Sequence, residues 1–465
     1  MRKPPDIKPP ETITAQQSSA IITQIREYQL ITPLYGGGVK PTEADPVTVV
    51  RATQIRGQLR FWWRACRYGK FNDDLKELRK EEEAIWGKAY KKREKGIPPE
   101  QTIQIMVEAL PKSTRDDDIA PFKIETTREG RLRSRYDPET RIPAYAAFPL
   151  QHTEEELQQA EPPVKKVRDN VKFRLTISFP SARKAEVEAA LWAWETFGGI
   201  GARTRRGFGA LRCLSIIENK RPEMIDLPPA NRELAQQWMQ EKLVRYVVEG
   251  AWTSALPHLK ARGVPFKIVS RGNVYDSLSV WRDLITRLRD FRQSRYPSTR
   301  PGANSPGRSM WPEPSAIRHL TGQSLPPHAA PIPDPLVEKF PRAAFGLPII
   351  FQFKDRSDHN PDDKSRDPRK TVLQLKTSER LASPLVLKPL ACQNGSYLGL
   401  ALILEGTGVE GEDLLLKTQK GRKEEWNVNA ALDPGESLII AYPGSPSTIS
   451  VDAYTNALQA FLKYL

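Results

Sequence analysis

A chain of 465 residues with 39% apolar content and 10 tryptophans is too long for one ordinary core and too hydrophobic for general disorder, so two or three domains are expected. Its 71 lysines and arginines against 56 acids give a formal net charge of +15 and a pI of about 9.6, which favours an anionic partner. No apolar run is long enough to span a bilayer, the opening "MRKPPDIKPPETITAQQ" lacks the apolar stretch of a secretory signal, and Cys66, Cys213 and Cys392 lie far apart with no CxxC, so no membrane partner, no disulfide framework and a reduced, cytoplasmic setting are expected.

Residues 1–22 are rich in proline and read as a disordered arm. "TQIREYQLIT" (Thr23 to Thr32) alternates as a strand and leads into the turn "PLYGGG". Thr53 to Tyr68 reads as a helix. "TIQIMVEAL" (Thr102 to Leu110) and "VKFRLTISF" (Val171 to Phe179) have the strand period. A second helix runs from about Ala182 to Phe197, with Ser181 as N-cap and Gly198 as its stop, and "GFGALRCLSI" supplies a fourth strand. Strand, helix, strand, strand, helix, strand is the order of a ferredoxin-like domain, an architecture shared with RNA-recognition modules. This domain is expected over residues 23–228. The stretch of about 111–170 is too long for a hairpin loop and reads as an inserted thumb or flap.

A second domain is expected over 229–465. "DSLSVWRDLITRLRDFRQSR" (Asp276 to Arg295) is an amphipathic helix with Leu278, Trp281, Ile285 and Leu288 on one face. Tyr296 to Pro341 holds eleven prolines and reads as irregular. The runs "GLPIIFQF", "ASPLVLKPL" and "YLGLALIL" read as strands, Asp355 to Lys370 as an exposed loop, and the last fifteen residues as a helix.

Two stretches carry unusual chemistry. On a helical wheel Ile55, Leu59, Trp62 and Cys66 form one face of the first helix, and Arg56, Arg60, Arg64 and Arg67 form another roughly 110–120° away. No acid lies between Arg51 and Lys70 to balance them, although like charges one turn apart repel. Guanidinium forks suit phosphate, so the stripe reads as an anion-binding face; Trp63, at the seam, is either core or a platform on which a base could stack. "GGIGARTRRGFGAL" (Gly198 to Leu211) places Gly199, Gly201 and Gly207 around Arg203, Arg205 and Arg206. Glycines permit close backbone approach to a sugar-phosphate chain, and the arginines can neutralise it. The motif follows a helix rather than opening one, so it is neither a dinucleotide fingerprint nor a phosphate loop of the GxxxxGK[ST] type.

Together "TPLYGGG", "IRGQLRFWWRA" and "GGIGARTRRGFGAL" resemble RAMP-superfamily proteins of CRISPR systems, and among them the first-numbered subunit family of the type III-B effector, the Cmr complex. "WPEPSAIRHL", "FGLPIIF" and "ERLASPLVLKPL" are similar to that family's second half. The resemblance implies an α+β protein of two ferredoxin-like (RRM-like) RAMP domains, acting as a non-catalytic RNA-binding subunit near the 3′ end of the guide. Its implied partners are CRISPR guide RNA, target single-stranded RNA and neighbouring RAMP subunits; no cofactor is implied. RNA contacts would fall on Arg56, Arg60, Arg64, Arg203, Arg205 and Arg206, and by weaker similarity on Arg318, Lys376, Arg380 and Lys388.

The alternative is a RAMP endoribonuclease that processes precursor RNA. Metal-free cleavage needs a general base and acid, commonly histidine. The five histidines (His152, His258, His319, His328, His359) all fall outside the two arginine motifs, and only His319, beside Arg318, invites attention. Asp116, Asp117 and Asp118 could serve a metal-dependent cut, but three adjacent carboxylates in one loop cannot all point inward and read as a solvated turn. No HExxH or Cys/His cluster suggests a metal. No catalytic residue and no metal ligand is therefore assigned.

Overall fold

A computed structural model describes residues 21–38, 43–45, 47–88, 103–110, 118–253, 256–297, 307–325, 336–353, 364–406, 408–409, 411–418, 424–441 and 448–465. Most of the N-terminal arm, Asp116, Asp117, His328, His359 and much of the proline-rich segment lie outside them.

The first half builds β1 (Ile21–Leu30), α1 (Ala52–Arg67), α2 (Leu75–Trp86), β2 (Gln104–Ala109), then an inserted group, then β7 (Lys172–Pro180), α5 (Lys184–Phe197), β8 (Leu211–Glu218) and β9 (Arg221–Glu223). β1 and β7 bury alternate residues, so Tyr28 and Leu30 share a face with Phe173, Leu175, Ile177 and Phe179. All pairings are antiparallel, and the order β2–β7–β1–β8–β9 places the four main strands as a ferredoxin-like sheet requires. α1 and α5 pack on the buried face, with Tyr28 edge-on to Trp194 at 5.4 Å. Ser181 does not cap α5; the chain enters it through a single 3-10 turn, Ser181–Arg183, with no side-chain cap. Gly198 does end it, its N–H reaching the Trp194 carbonyl at 2.9 Å.

The inserted group comprises β3 (Asp118–Ile119), β4 (Phe122–Thr126), β5 (Leu132–Tyr136), the short helices α3 (Ala144–Ala147) and α4 (Glu154–Leu157), and β6 (Val167–Arg168). β3 pairs β6 and β4 pairs β5.

In the second half α6 (Arg232–Tyr246), β10 (Phe266–Val274), α7 (Ser277–Arg292) and α8 (Glu313–Thr321) precede β11 (Ile349–Phe351), β12 (Thr371–Leu375), β13 (Leu385–Ala391) and β14 (Tyr397–Ile403). β15 (Leu414–Thr418), β16 (Glu425–Val428), β17 (Ser437–Ala441), β18 (Thr448–Asp452) and α9 (Ala457–Tyr464) follow. β10–β14–β13 form an antiparallel sheet that repeats three of the four positions of the first; among the described residues no strand pairs the other edge of β10. A sheet β11–β12–β15–β16 and the hairpin β17–β18 are additions that a plain ferredoxin-like domain lacks. α7, capped by the Asp276 carboxylate, buries Trp281, Ile285 and Leu288.

The two halves share cores. α5 is buried nearly all round, as a helix apolar on every face must be. One side meets the first sheet, and Val386, Leu390, Leu400 and Leu402 of the second sheet join the same apolar cluster. The chain is thus layered: first sheet, α1 and α5, second sheet, α7.

Candidate nucleic-acid interface

The arginine stripe of α1 finds its acids on other elements. α2 lays its C-terminal end against the stripe. Arg60 Nε donates to Glu82 at 2.6 Å and Arg64 Nη1 bonds the same carboxylate oxygen. Arg56 donates to the carbonyls of Trp86 and Ile103, at 3.4 and 3.2 Å, and Arg60 to that of Gly87 at 3.4 Å. Carbonyls at a helix C-terminus carry partial negative charge, so this end of α2 suits cations. Arg67 stands 3.5 Å from Glu186 of α5 and donates to the Ala185 carbonyl at 2.7 Å, and Lys70 bonds Glu186 as well. Burial works to raise the Glu186 pKa, but Lys70, Arg67 and the Trp63 indole outweigh it and hold it below the usual carboxylate value.

Trp63 is fully buried and donates its indole N–H to Glu186 at 2.8 Å. It is core, not a stacking platform; the wheel put it at the seam, and α5 covers that seam. α2 was not read from the sequence. Its signals were Asp74, which accepts from the N–H groups of Lys76 and Glu77, and Gly87 beyond its last turn.

The three glycine-bearing motifs converge. Arg51 bonds the Gly37 carbonyl, the Ala202 N–H donates to Tyr35 at 2.7 Å, and Gly209 N–H donates to Pro33 at 2.9 Å. Gly201, at φ +87°, faces the Tyr35 carbonyl, which a Cβ would approach to 2.5 Å; Gly209, at φ +60°, would put one 1.9 Å from the Ile200 carbonyl. Gly199 is similarly confined, against the Gly209 carbonyl. These glycines serve close packing of backbone on backbone.

The same loop is the joint between the halves. Gly207, at φ +84°, lies against Trp281, whose indole donates to the Arg206 carbonyl at 2.7 Å. Arg205 donates to Ser383 O at 2.6 Å and stands 5.7 Å from the centre of the Phe61 ring on α1. Arg206 donates to Leu385 O at 2.9 Å and Phe345 O at 3.3 Å. Arg203 sits in the left-handed region at φ +57°, with its Nε buried and without an acceptor. Among the described residues no carboxylate pairs with Arg203, Arg205 or Arg206. Burial lowers all three, and with Arg292 and Arg203 nearby Arg206 is pushed down to about 9.

The residues proposed from the second half scatter. Lys388 is buried, its ammonium donating to the Glu195 and Gly198 carbonyls at 3.0 and 2.8 Å, so it caps α5 instead of facing solvent; burial pushes it down to about 7. Arg318 forks onto Asp367 at 2.7 and 3.1 Å and lies over Phe353. Lys376 and Arg380 are exposed.

His152 and His258 are buried structural residues. His152 lies 3.1 Å from Ser134 Oγ and 2.7 Å from Pro163 O, and His258 stacks on Trp252 at 4.3 Å. His319 is exposed on α8, and Asp118 pairs with Arg168 at 3.0 Å. Among the described residues no three His, Cys, Asp or Glu side chains gather as metal ligands, and no helix is long and apolar enough to cross a membrane.

Residues 27–212 match the model of the RAMP superfamily. The CRISPR system Cmr subunit Cmr1-2 of Pyrococcus furiosus is 23% identical over 213 residues, covering 42% of this chain and 96% of that protein. The apo crystal structure of Cmr1 from Pyrococcus furiosus aligns with a TM-score of 0.42 at 16% identity, over 82% of this chain and 87% of that one. A chain in a type III-B Cmr-beta complex bound to cognate target RNA and AMPPnP aligns with a TM-score of 0.44 at 11% identity, over 83% and 95%.

Proposed function

From the premise that this chain is a RAMP-superfamily CRISPR protein distantly resembling Cmr1 of the type III-B complex, we propose that it is a non-catalytic RNA-binding subunit of such a ribonucleoprotein. It works in the cytoplasm, as two RAMP-type domains, contacting guide and target RNA near the 3′ end of the guide beside neighbouring RAMP subunits. One observation carries the RNA-binding part. The three motifs that resemble the family gather at one place, and there cationic charge exceeds acidic charge. Among the described residues the only carboxylates that Arg56, Arg60, Arg64, Arg67 and Lys70 meet on α1 and its flank are Glu82 and Glu186, while in the loop Arg205 and Arg206 meet backbone carbonyls and the Nε of Arg203 has no acceptor. A carbonyl satisfies donors but leaves the charge, so this surface attracts a polyanion.

The test is an anisotropy titration of the purified chain with labelled single-stranded RNA at two salt concentrations with Mg²⁺, followed by a denaturing gel. The reading expects intact RNA and binding that weakens with salt, with a log–log slope near −3 if about four phosphates are neutralised. Discrete fragments that vanish in a His319→Ala variant would make the chain a nuclease instead.

A further inference from the structure

Sequence reasoning passed over two residues beside the loop, Arg292 at the end of α7 and Tyr145 in α3 of the insertion. Arg292 Nη1 donates to the Tyr145 hydroxyl at 2.8 Å, and its guanidinium lies 5.9 Å from the centre of that ring and 5.2 Å from that of Phe345. Arg206 reaches the backbone of the same Phe345, its Nη2 donating to the carbonyl at 3.3 Å. Arg203, three residues before Arg206 in the same loop, is the third cation, and its charge is felt by Arg206 and interacts with Tyr35 and Tyr145. Two stretches far apart in sequence, the loop of Arg203 and Arg206 and the end of α7, thus bring three guanidiniums to one joint, and a third, the insertion, adds the Tyr145 hydroxyl.

Among the described residues no carboxylate pairs with Arg203, Arg206 or Arg292. The nearby Arg342 does have one, its Nε lying 3.1 Å from Glu313. The Nε groups of Arg203 and Arg292 are both buried without an acceptor among the described residues. Like charges gathered where water is partly excluded cost stability, and a buried N–H without an acceptor adds to that cost. Departures of this kind from the ordinary packing rules are expected at functional sites.

We propose that Arg203, Arg206 and Arg292, with the Tyr145 hydroxyl, form a preformed site for a phosphate group at the joint between the two halves. Guanidinium forks arriving from a loop and a helix end, with a hydroxyl from the insertion, suit a tetrahedral anion with four oxygens better than a planar carboxylate with two. That the phosphate belongs to an RNA backbone rests on the function proposed above; the site itself does not. A phosphate held here would bridge α3, α7 and the glycine-rich loop, and so tie the insertion to both halves.

The experiment uses the full chain and three probes: inorganic phosphate against chloride at equal ionic strength, a 15-nucleotide single-stranded RNA, and an oligoglutamate peptide. Thermal melts read the first, and anisotropy reads the other two. Phosphate should raise the melting temperature of the wild type above its value in chloride, and Arg203→Asn should remove the difference. Asparagine tolerates the left-handed backbone of position 203, and the Arg203 side chain makes no hydrogen bond among the described residues, so this variant should melt without ligand at least as high as the wild type. RNA affinity should fall about tenfold in Arg203→Asn and in Arg292→Gln, with a salt slope shallower by about 0.7 per lost phosphate contact. If Arg292→Gln fails to fold, Arg203→Asn decides alone.

A phosphate response and RNA affinity unchanged in Arg203→Asn would overturn the site, even while wild-type binding to RNA upheld the proposed function. A phosphate response that needs Arg203, in a chain that binds no RNA, would uphold the site and sink that function. A fall in the ligand-free melting temperature of Arg203→Asn, or oligoglutamate displacing RNA at equal charge concentration, would also overturn it, in favour of a structural arginine or of an acidic protein segment.

Discussion

The arginines of α1 and those of the loop between α5 and β8 are equally conspicuous in the sequence, but the fold treats them differently. Arg60, Arg64 and Arg67 are held by carboxylates brought from α2 and α5. Arg205, Arg206 and, in the same joint, Lys388 are held by carbonyls. A carboxylate satisfies a cation's donors and cancels its charge; a carbonyl does only the first. The density of arginine along a chain therefore says little about electrostatic potential until the acids of other elements are placed. The carbonyl-held region is the better candidate for a polyanion.

Four changes break or sharpen this contrast. The largest effect is expected in the loop, where Gly209→Ala would drive a Cβ to 1.9 Å from the Ile200 carbonyl at a left-handed backbone position. A loss of more than about 3 kcal/mol in urea unfolding is expected, since both clash and strain act together. Next comes Glu82→Gln, which strands Arg60 and Arg64. Their guanidiniums keep some water at 30% exposure, so the cost should be about 1–3 kcal/mol, below that of a wholly buried pair. It should also raise RNA affinity, because it uncovers charge.

Lys388 gives a pH signature. Its folded pKa of about 7 lies below the ordinary 10.5, so between those values the unfolded chain holds a proton that the folded chain does not. Stability from this group therefore rises as pH climbs from 7 to 10.5 and is least favourable below 7, with a slope of at most about 1.4 kcal/mol per pH unit. Subtracting the profile of Lys388→Met from that of the wild type should reveal the rise; a flat difference would mean that the ammonium is not buried. The smallest effect is expected for Trp63→Phe, which deletes the bond to Glu186 while Arg67 and Lys70 remain. A cost of about 1 kcal/mol with unchanged RNA affinity fits a core residue. A loss of affinity without loss of stability would restore it as a stacking platform.

The first sheet was legible because its strands bury alternate residues and its helices have clean apolar faces: Tyr28, Leu175 and Ile177, or Ile55, Leu59 and Cys66, need only local periodicity to be recognised. The second sheet was half legible. β13 and β14 read as strands, but nothing local shows that β10 precedes them as their partner or that the following runs go to a separate sheet. At the candidate site the loop arginines were visible as a motif. Their companions were not, because Arg292 lies in an ordinary amphipathic helix and Tyr145 in an insertion, and only tertiary packing joins them. The same holds for Glu82, Glu186 and the burial of Lys388, all set by contacts distant in sequence.

The most direct test of the account compares two double variants, Arg203→Asn/Arg205→Gln in the loop and Arg60→Gln/Arg64→Gln on α1, in the same titration of single-stranded RNA with Mg²⁺ at two salt concentrations. The account predicts intact RNA throughout, a loss of at least about tenfold and a shallower salt slope for the loop pair, and a smaller loss for the α1 pair, whose charge Glu82 already offsets in part. A larger loss for the α1 pair, or equal affinity in all three proteins, would contradict it.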